Sequence, residues 1–163
     1  MLSPVPQFTR SLTALAAILA KAEAHCAAKK IDPAVIFAAR LFPDMLPFWR
    51  QITITCDHAK GACARLAGAE LPGYPDEEKS LADLQARIAR TSAFIATLPD
   101  AAFAGADTRS ITLKVGPTEM TFEAPAYYSG FAIPNFYFHL TTAYNILRTN
   151  GVELGKRDFM GTR

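Results

Sequence analysis

The sequence has little of what usually announces a chemistry. Its 163 residues include three cysteines, three histidines and one tryptophan. Cys26, Cys56 and Cys63 are odd in number and form no C-x-x-C pair, which argues against a disulfide framework or a zinc knuckle. Reduced thiols in the cytoplasm are the simplest reading. Charge of one sign is also lacking: 17 basic residues against 15 acidic leave a net charge of +2. With no basic cluster, nothing points to nucleic acid. No apolar run approaches the ~18 residues of a membrane span. The stretch from Ser11 to Ala20 after Arg10 imitates a signal core. However, the first nine residues hold no Lys or Arg, and Lys21 and Glu23 crowd the cleavage position. There is no G-x-S-x-G, phosphate loop or dinucleotide fingerprint.

What the sequence does have is hydrophobicity with helical periodicity. Half the residues are hydrophobic and a fifth are charged, which suits one globular domain over 1–163 with a full core. Phe8, Leu12, Leu15, Leu19, Ala22 and Cys26 step by three and four, predicting a first helix over about Pro6 to Ala28. Asp32-Pro33 reads as an N-cap and first-turn proline of a short helix reaching about Leu41. Met45, Phe48, Ile52, Thr55, Ala59, Ala62 and Leu66 predict a second long helix over about Asp44 to Ala67, with Gly68 as its stop. The β-like alternation of Ile52 to Thr55 is outweighed by that longer pattern. A third long helix is expected from near Asp76 to Leu98, before Pro99. Ile111, Leu113 and Val115, a Gly116-Pro117-Thr118 turn, then Met120 and Phe122 change the period to two and predict a hairpin. A fourth long helix is expected from about Pro125 to Asn150, kinked by Pro134 and closed by Gly151. Leu154 and Phe159 in the tail can pack back. The fold class is therefore all-α, a four-helix bundle with a short hairpin before its last helix.

Polar residues on the expected core faces define a candidate site. Asp44, Gln51, His58 and Arg65 are spaced by seven and share one stripe. That stripe is either a solvated edge or one wall of a pocket. On the last helix, Asn135 and His139 are four apart and project from one face, with Thr142 near the same line. Polar groups among Phe131, Phe136, Tyr137, Phe138 and Ile146 need partners if buried. A metal, a polar ligand, water or the Gln51/His58 stripe would each serve. His25 reads as a cation near the negative end of its helix, and Cys63 as a small core residue.

Several stretches are specific enough to carry a resemblance. They are Lys21-Ala-Glu-Ala-His25, Lys30-Ile-Asp-Pro33, Cys56-Asp-His-Ala-Lys-Gly61, Pro134-Asn-Phe-Tyr-Phe-His139 and Asn150-Gly-Val-Glu-Leu-Gly-Lys-Arg-Asp-Phe159. Together they resemble a bacterial family of unknown function within the DinB/YfiT-like metalloenzyme superfamily, over nearly the whole chain. The resemblance implies an up-down-down-up four-helix bundle, commonly a homodimer. It also implies a divalent metal, zinc or nickel, held by one histidine on the second long helix and an H-x-x-x-H pair on the last. His58 matches the first of these. His139 matches the second histidine of the pair, which leaves Asn135 at the first position as a possible third ligand. Gln51 and Thr142 would line the pocket. An amide oxygen is a poorer donor to zinc or nickel than imidazole, so the metal would be held weakly. Some members of the superfamily are transferases or isomerases using small thiol cofactors. Two functions are therefore expected as alternatives. One is a weakly metal-dependent enzyme such as a thiol-cofactor transferase. The other is a non-catalytic small-molecule-binding or stress-associated bundle without metal. In either case His58 and His139 should face each other across the bundle.

Overall fold

A computed structural model describes residues 2–161 of the chain. The expected tail to Arg163 thus has its last two residues outside the described range. Four long helices carry the body: α1 (Val5–Lys29), α3 (Phe48–Ala67), α4 (Leu81–Ala96) and α6 (Ile133–Thr149). Short α2 (Pro33–Ala38) follows α1, α5 (Ala124–Ala126) precedes α6, and α7 (Lys156–Met160) ends the described chain. Strands β1 (Ser110–Val115) and β2 (Thr118–Glu123) pair antiparallel, with Ile111 opposite Phe122 and Val115 opposite Thr118. Helix α3 packs on both α6 and α4, and α4 packs on α1. No helix among the described residues is long and apolar enough to cross a membrane.

The stripes predicted from spacing are the ones buried. Phe8, Leu12, Leu15, Leu19, Ala22 and Cys26 of α1 are all in the core, as are Ile52, Ala59, Ala62 and Leu66 of α3. Each fully buried Phe or Leu contributes roughly 1.5–3 kcal/mol by leaving water. Phe8 meets Phe136 of α6 edge-on at 4.8 Å, joining the two helices. Ile52 to Thr55 is helical, because the three-and-four spacing around it buries a whole face. Asp32 caps α2 by accepting the Ala34 N–H at 2.9 Å. Gly68 and Gly151 have φ of 68° and 84°, so each follows its helix in the left-handed region that glycine enters without Cβ strain.

Several boundaries differ from expectation for identifiable reasons. Helix α3 begins at Phe48 rather than Asp44, because Pro47 is the N-cap in extended backbone. Asp44 consequently lies outside the helix and does not extend the stripe of Gln51, His58 and Arg65. Helix α4 begins at Leu81, with Ser80 accepting the Asp83 N–H at 3.1 Å. The start expected near Asp76 thus falls later, and Asp76 and Glu78 lie on the preceding loop. There Asp76 pairs with Arg50, and Glu78 pairs with Arg87 at 2.9 Å. Around Pro134 the last helix does not simply kink. Residues Tyr127–Ala132 form a π-helical turn between α5 and α6. Such turns absorb a break in the i→i−4 ladder, and Pro134 supplies one because it has no N–H. The tail folds into α7, whose Phe159 meets Tyr144 edge-on at 5.6 Å. Lys21 of α1 also pairs with Asp158 of α7 at 2.6 Å.

Candidate functional site: a histidine pair on the seam between α3 and α6

Helix α3 presents Gln51 and His58 on one face, seven residues and nearly two turns apart. Helix α6 packs against that face and brings in His139. The imidazoles of His58 and His139 lie nearly parallel, with ring centroids 5.9 Å apart and an interplanar angle of 13°. Gln51 is buried. Its Nε2 donates to the Leu46 carbonyl at 2.9 Å, which turns Oε1 toward His139. His139 Nδ1 lies 2.8 Å from that oxygen. An amide oxygen can only accept, so Nδ1 carries the proton and donates it. His139 is thereby held in the Nδ1–H tautomer, and its Nε2 keeps a lone pair.

Both histidines are neutral near pH 7. Burial pushes His58 down from its ordinary 6.5 to about 4, helped by the neighbouring His139 and by Arg65, with Asp57 opposing. Burial also lowers His139, and the Arg50 guanidinium adds to the effect. Aromatic side chains enclose the pair. Phe131 meets His58 at 6.0 Å and 61°, and Phe138 meets His139 edge-on at 5.2 Å. Phe138 is 60% exposed, so the pair sits at the rim of the bundle and not in its centre.

The hydrogen bonds of the other expected site residues lead elsewhere. Asn135 Nδ2 donates to the Phe131 carbonyl at 2.8 Å, within its own helical segment. Thr142 is buried, and its hydroxyl donates to the Phe138 carbonyl at 2.7 Å. His25 lies against Gly151 beyond the far end of α6. Burial raises the thiols of Cys56 and Cys63 to about 12, which leaves neither a nucleophile. Phe131 was expected among the apolar neighbours of the site and Tyr127 was not; the π-turn sets Phe131 against His58 and Tyr127 against Arg65. The seven-residue interval from His58 to Arg65 was the available signal for that end of the site.

A three-histidine centre for resident zinc or nickel does not fit these donors. Among the described residues no group of three or more His, Cys, Asp or Glu side chains could hold a metal ion. Two neutral imidazoles and the free oxygen of Asn135 form a weak set for either ion.

The molecule is thus a mainly helical protein with a small two-stranded sheet and a neutral histidine pair between two of its long helices. Residues 3–160 match the family described as "Domain of unknown function (DUF1993)", and the chain belongs to that family. It is also similar to a solved structure, a DinB family member protein from Shewanella denitrificans. That protein is 41% identical, with a TM-score of 0.88 over 98% of this chain and 90% of that one. No curated protein matches.

Proposed function

We propose that the seam between α3 and α6 is a small-molecule-binding site. Its ligand carries a protic group, a hydroxyl, amine or thiol, that hydrogen-bonds to His139 and His58. A thiol is the class implied by the resemblance to the DinB/YfiT-like proteins. The observation that carries this reading is the Gln51–His139 hydrogen bond, which fixes the tautomer and leaves an acceptor nitrogen on a packed helix. Acceptors held in place before binding cost the complex little ordering entropy. Binding suits the pair better than proton abstraction. A thiol ordinarily titrates near 8.5, well above His58 at about 4, so transfer of its proton to that imidazole is uphill. The full chain titrated with mercaptopropanol should show both imidazoles shifting in nitrogen-15 NMR. His139→Ala should abolish the response of His58. An unmoved pair in large excess of thiol refutes the reading.

A second reading is favoured by the same hydrogen bond, because histidines that ligate metal commonly donate their other N–H to an oxygen acceptor. On this reading His58 and His139 hold an exchangeable divalent ion, zinc or nickel, with Asn135 as a weak third donor. Zinc titration of protein purified without a histidine tag separates the two readings. Saturation that depends on His58 supports the second, and none rejects it.

Around the site we take the chain as a single domain with the long helices arranged up-down-down-up. The packing of α3 on α6 and α4, and of α4 on α1, supports that order. Exposed Leu41, Phe42, Leu46 and Phe138 support a homodimer, which sedimentation at micromolar concentration tests. Three free, buried cysteines accord with a reducing bacterial cytoplasm.

A further inference from the structure

The polar stripe of α3 continues past His58 to Arg65. Arg65 Nη1 donates to the Tyr127 hydroxyl at 3.1 Å, and its guanidinium lies 6.0 Å from the centre of that ring. Among the described residues no carboxylate pairs with it. Two other arginines on α3 and α4 differ in this respect. Arg50 pairs with Asp76, and Arg87 pairs with Asp57, Asp76 and Glu78. A guanidinium has five N–H donors and does not lose its proton. Half-buried Arg65 therefore has most of its donors unused by the described residues.

Two features aim that charge along the seam. Gly61 lies one turn before Arg65, and a Cβ built there would overlap Arg65 Nη1. The guanidinium thus folds back over a position kept clear by glycine, toward His58 three residues earlier. A row of rings then connects the two ends. Tyr127 stacks on Phe131 at 5.9 Å and 22°, Phe131 meets His58 at 6.0 Å, and His58 lies parallel to His139 at 5.9 Å. Phe122 of β2 packs on both Tyr127 and Phe131, at 6.2 and 5.7 Å.

Resting on the reading of the histidine pair as a ligand site, we propose that the ligand is a small carboxylate. Its anionic end pairs with Arg65 beside Tyr127, and its protic end reaches His58 and His139. The guanidinium fork matches a carboxylate in plane and spacing. Gly61, over which the guanidinium folds, lies about one helical turn from His58 along α3, roughly 5 Å. Two or three carbons between thiol and carboxylate span that distance.

The test compares mercaptopropionate with mercaptopropanol, which differ chiefly in charge, and uses acetate as an anion without a protic group. Binding to the full chain is followed by nitrogen-15 NMR of His58, His139 and Arg65. Wild-type protein should bind mercaptopropionate about tenfold more tightly than mercaptopropanol. Arg65→Gln and Gly61→Ala should reduce that preference to within about twofold. Gly61→Ala keeps the test independent of folding, because alanine favours the helix and displaces only the end of a flexible side chain. If both thiols bind wild type equally, the carboxylate proposal is overturned and the histidine site stands. If neither thiol moves the histidines, the site reading fails and acetate decides. Acetate shifting Arg65 in wild type but not in Gly61→Ala upholds the anion subsite, and an unmoved Arg65 overturns it.

Discussion

Helix α3 has polar residues on two faces, and the two behave oppositely. Toward α4, Asp57 accepts from Lys60 and Arg87, each at 3.0 Å. Arg87, whose side chain is only 2% exposed, also pairs with Glu78 at 2.9 Å and donates to the Pro75 carbonyl at 3.1 Å. Tyr74 supplies a ring face to Lys60 at 3.9 Å and to Arg90 at 3.6 Å. Charges closed in this way anchor the loop between α3 and α4. An open groove of about 890 Å³ is lined by Pro75, Glu78, Arg87 and Arg90 among others, but Arg87 is already claimed by carboxylates, and Arg90 lies over the Tyr74 ring and donates to the Gly73 carbonyl. Toward α6, Gln51, His58 and Arg65 meet imidazole and aromatic rings, and among the described residues no carboxylate pairs with Arg65. The comparison shows that concavity and charge do not by themselves mark a binding site. On the closed face Glu78 Oε2 and Arg87 Nε are buried without a hydrogen-bond partner among the described residues, so the two faces differ in how their charges are paired and not in whether every polar atom is satisfied.

The largest effect should come from opening the closed face. Arg87→Met strips three carboxylates of their shared cation and should cost roughly 3 kcal/mol in urea denaturation, with the histidine NMR signals unmoved. A cost below about 1 kcal/mol would show that this network is not what anchors the loop. Next, Gln51→Leu strands the Leu46 carbonyl and the His139 N–H and should cost about 2 kcal/mol. It should also weaken mercaptopropanol binding. A neutral result would remove the positioning role given to Gln51.

Acid should separate the faces as well. The folded chain holds His58 at about 4, against 6.5 for the free side chain. Between those values the unfolded chain binds more protons, so stability should fall as pH drops from about 6.5 toward 4. His58→Asn should flatten that slope. An unchanged slope would mean that His58 is not held neutral. The smallest change in stability is expected for Asn135→His, which completes an H-x-x-x-H pair. Its zinc affinity should rise at least about tenfold above wild type, measured by calorimetry. No gain would show that α6 does not aim position 135 at the pair.

Much of this architecture was legible in the sequence. Long stripes such as Phe8 to Cys26 and Phe48 to Leu66 identify buried helix faces, while Met45 falls outside the helix, and the alternation from Ile111 to Phe122 identifies the hairpin. Spacing by seven placed Gln51, His58 and Arg65 on one stripe. Boundaries were less legible where a side chain had competing uses. The third long helix was expected to start near Asp76, but Asp76 and Glu78 pair with Arg50 of α3 and Arg87 of α4, a choice only tertiary packing makes. The π-turn was hidden for a related reason. Pro134 signals a broken ladder without saying how the break is absorbed, and that choice decides where Tyr127 and Phe131 point. Asn135 and Thr142 illustrate the same limit: both lie near the line of His139, yet both donate to carbonyls of their own helical segment.

The account rests most heavily on a neutral histidine pair with one tautomer fixed by Gln51. Long-range nitrogen–proton NMR at pH 7 reports charge and tautomer for each imidazole directly. It should find both rings neutral and the His139 proton on Nδ1, with the proton moving off Nδ1 in part of the population in Gln51→Leu. An imidazolium at either position, or a wild-type His139 protonated on Nε2, would contradict the account.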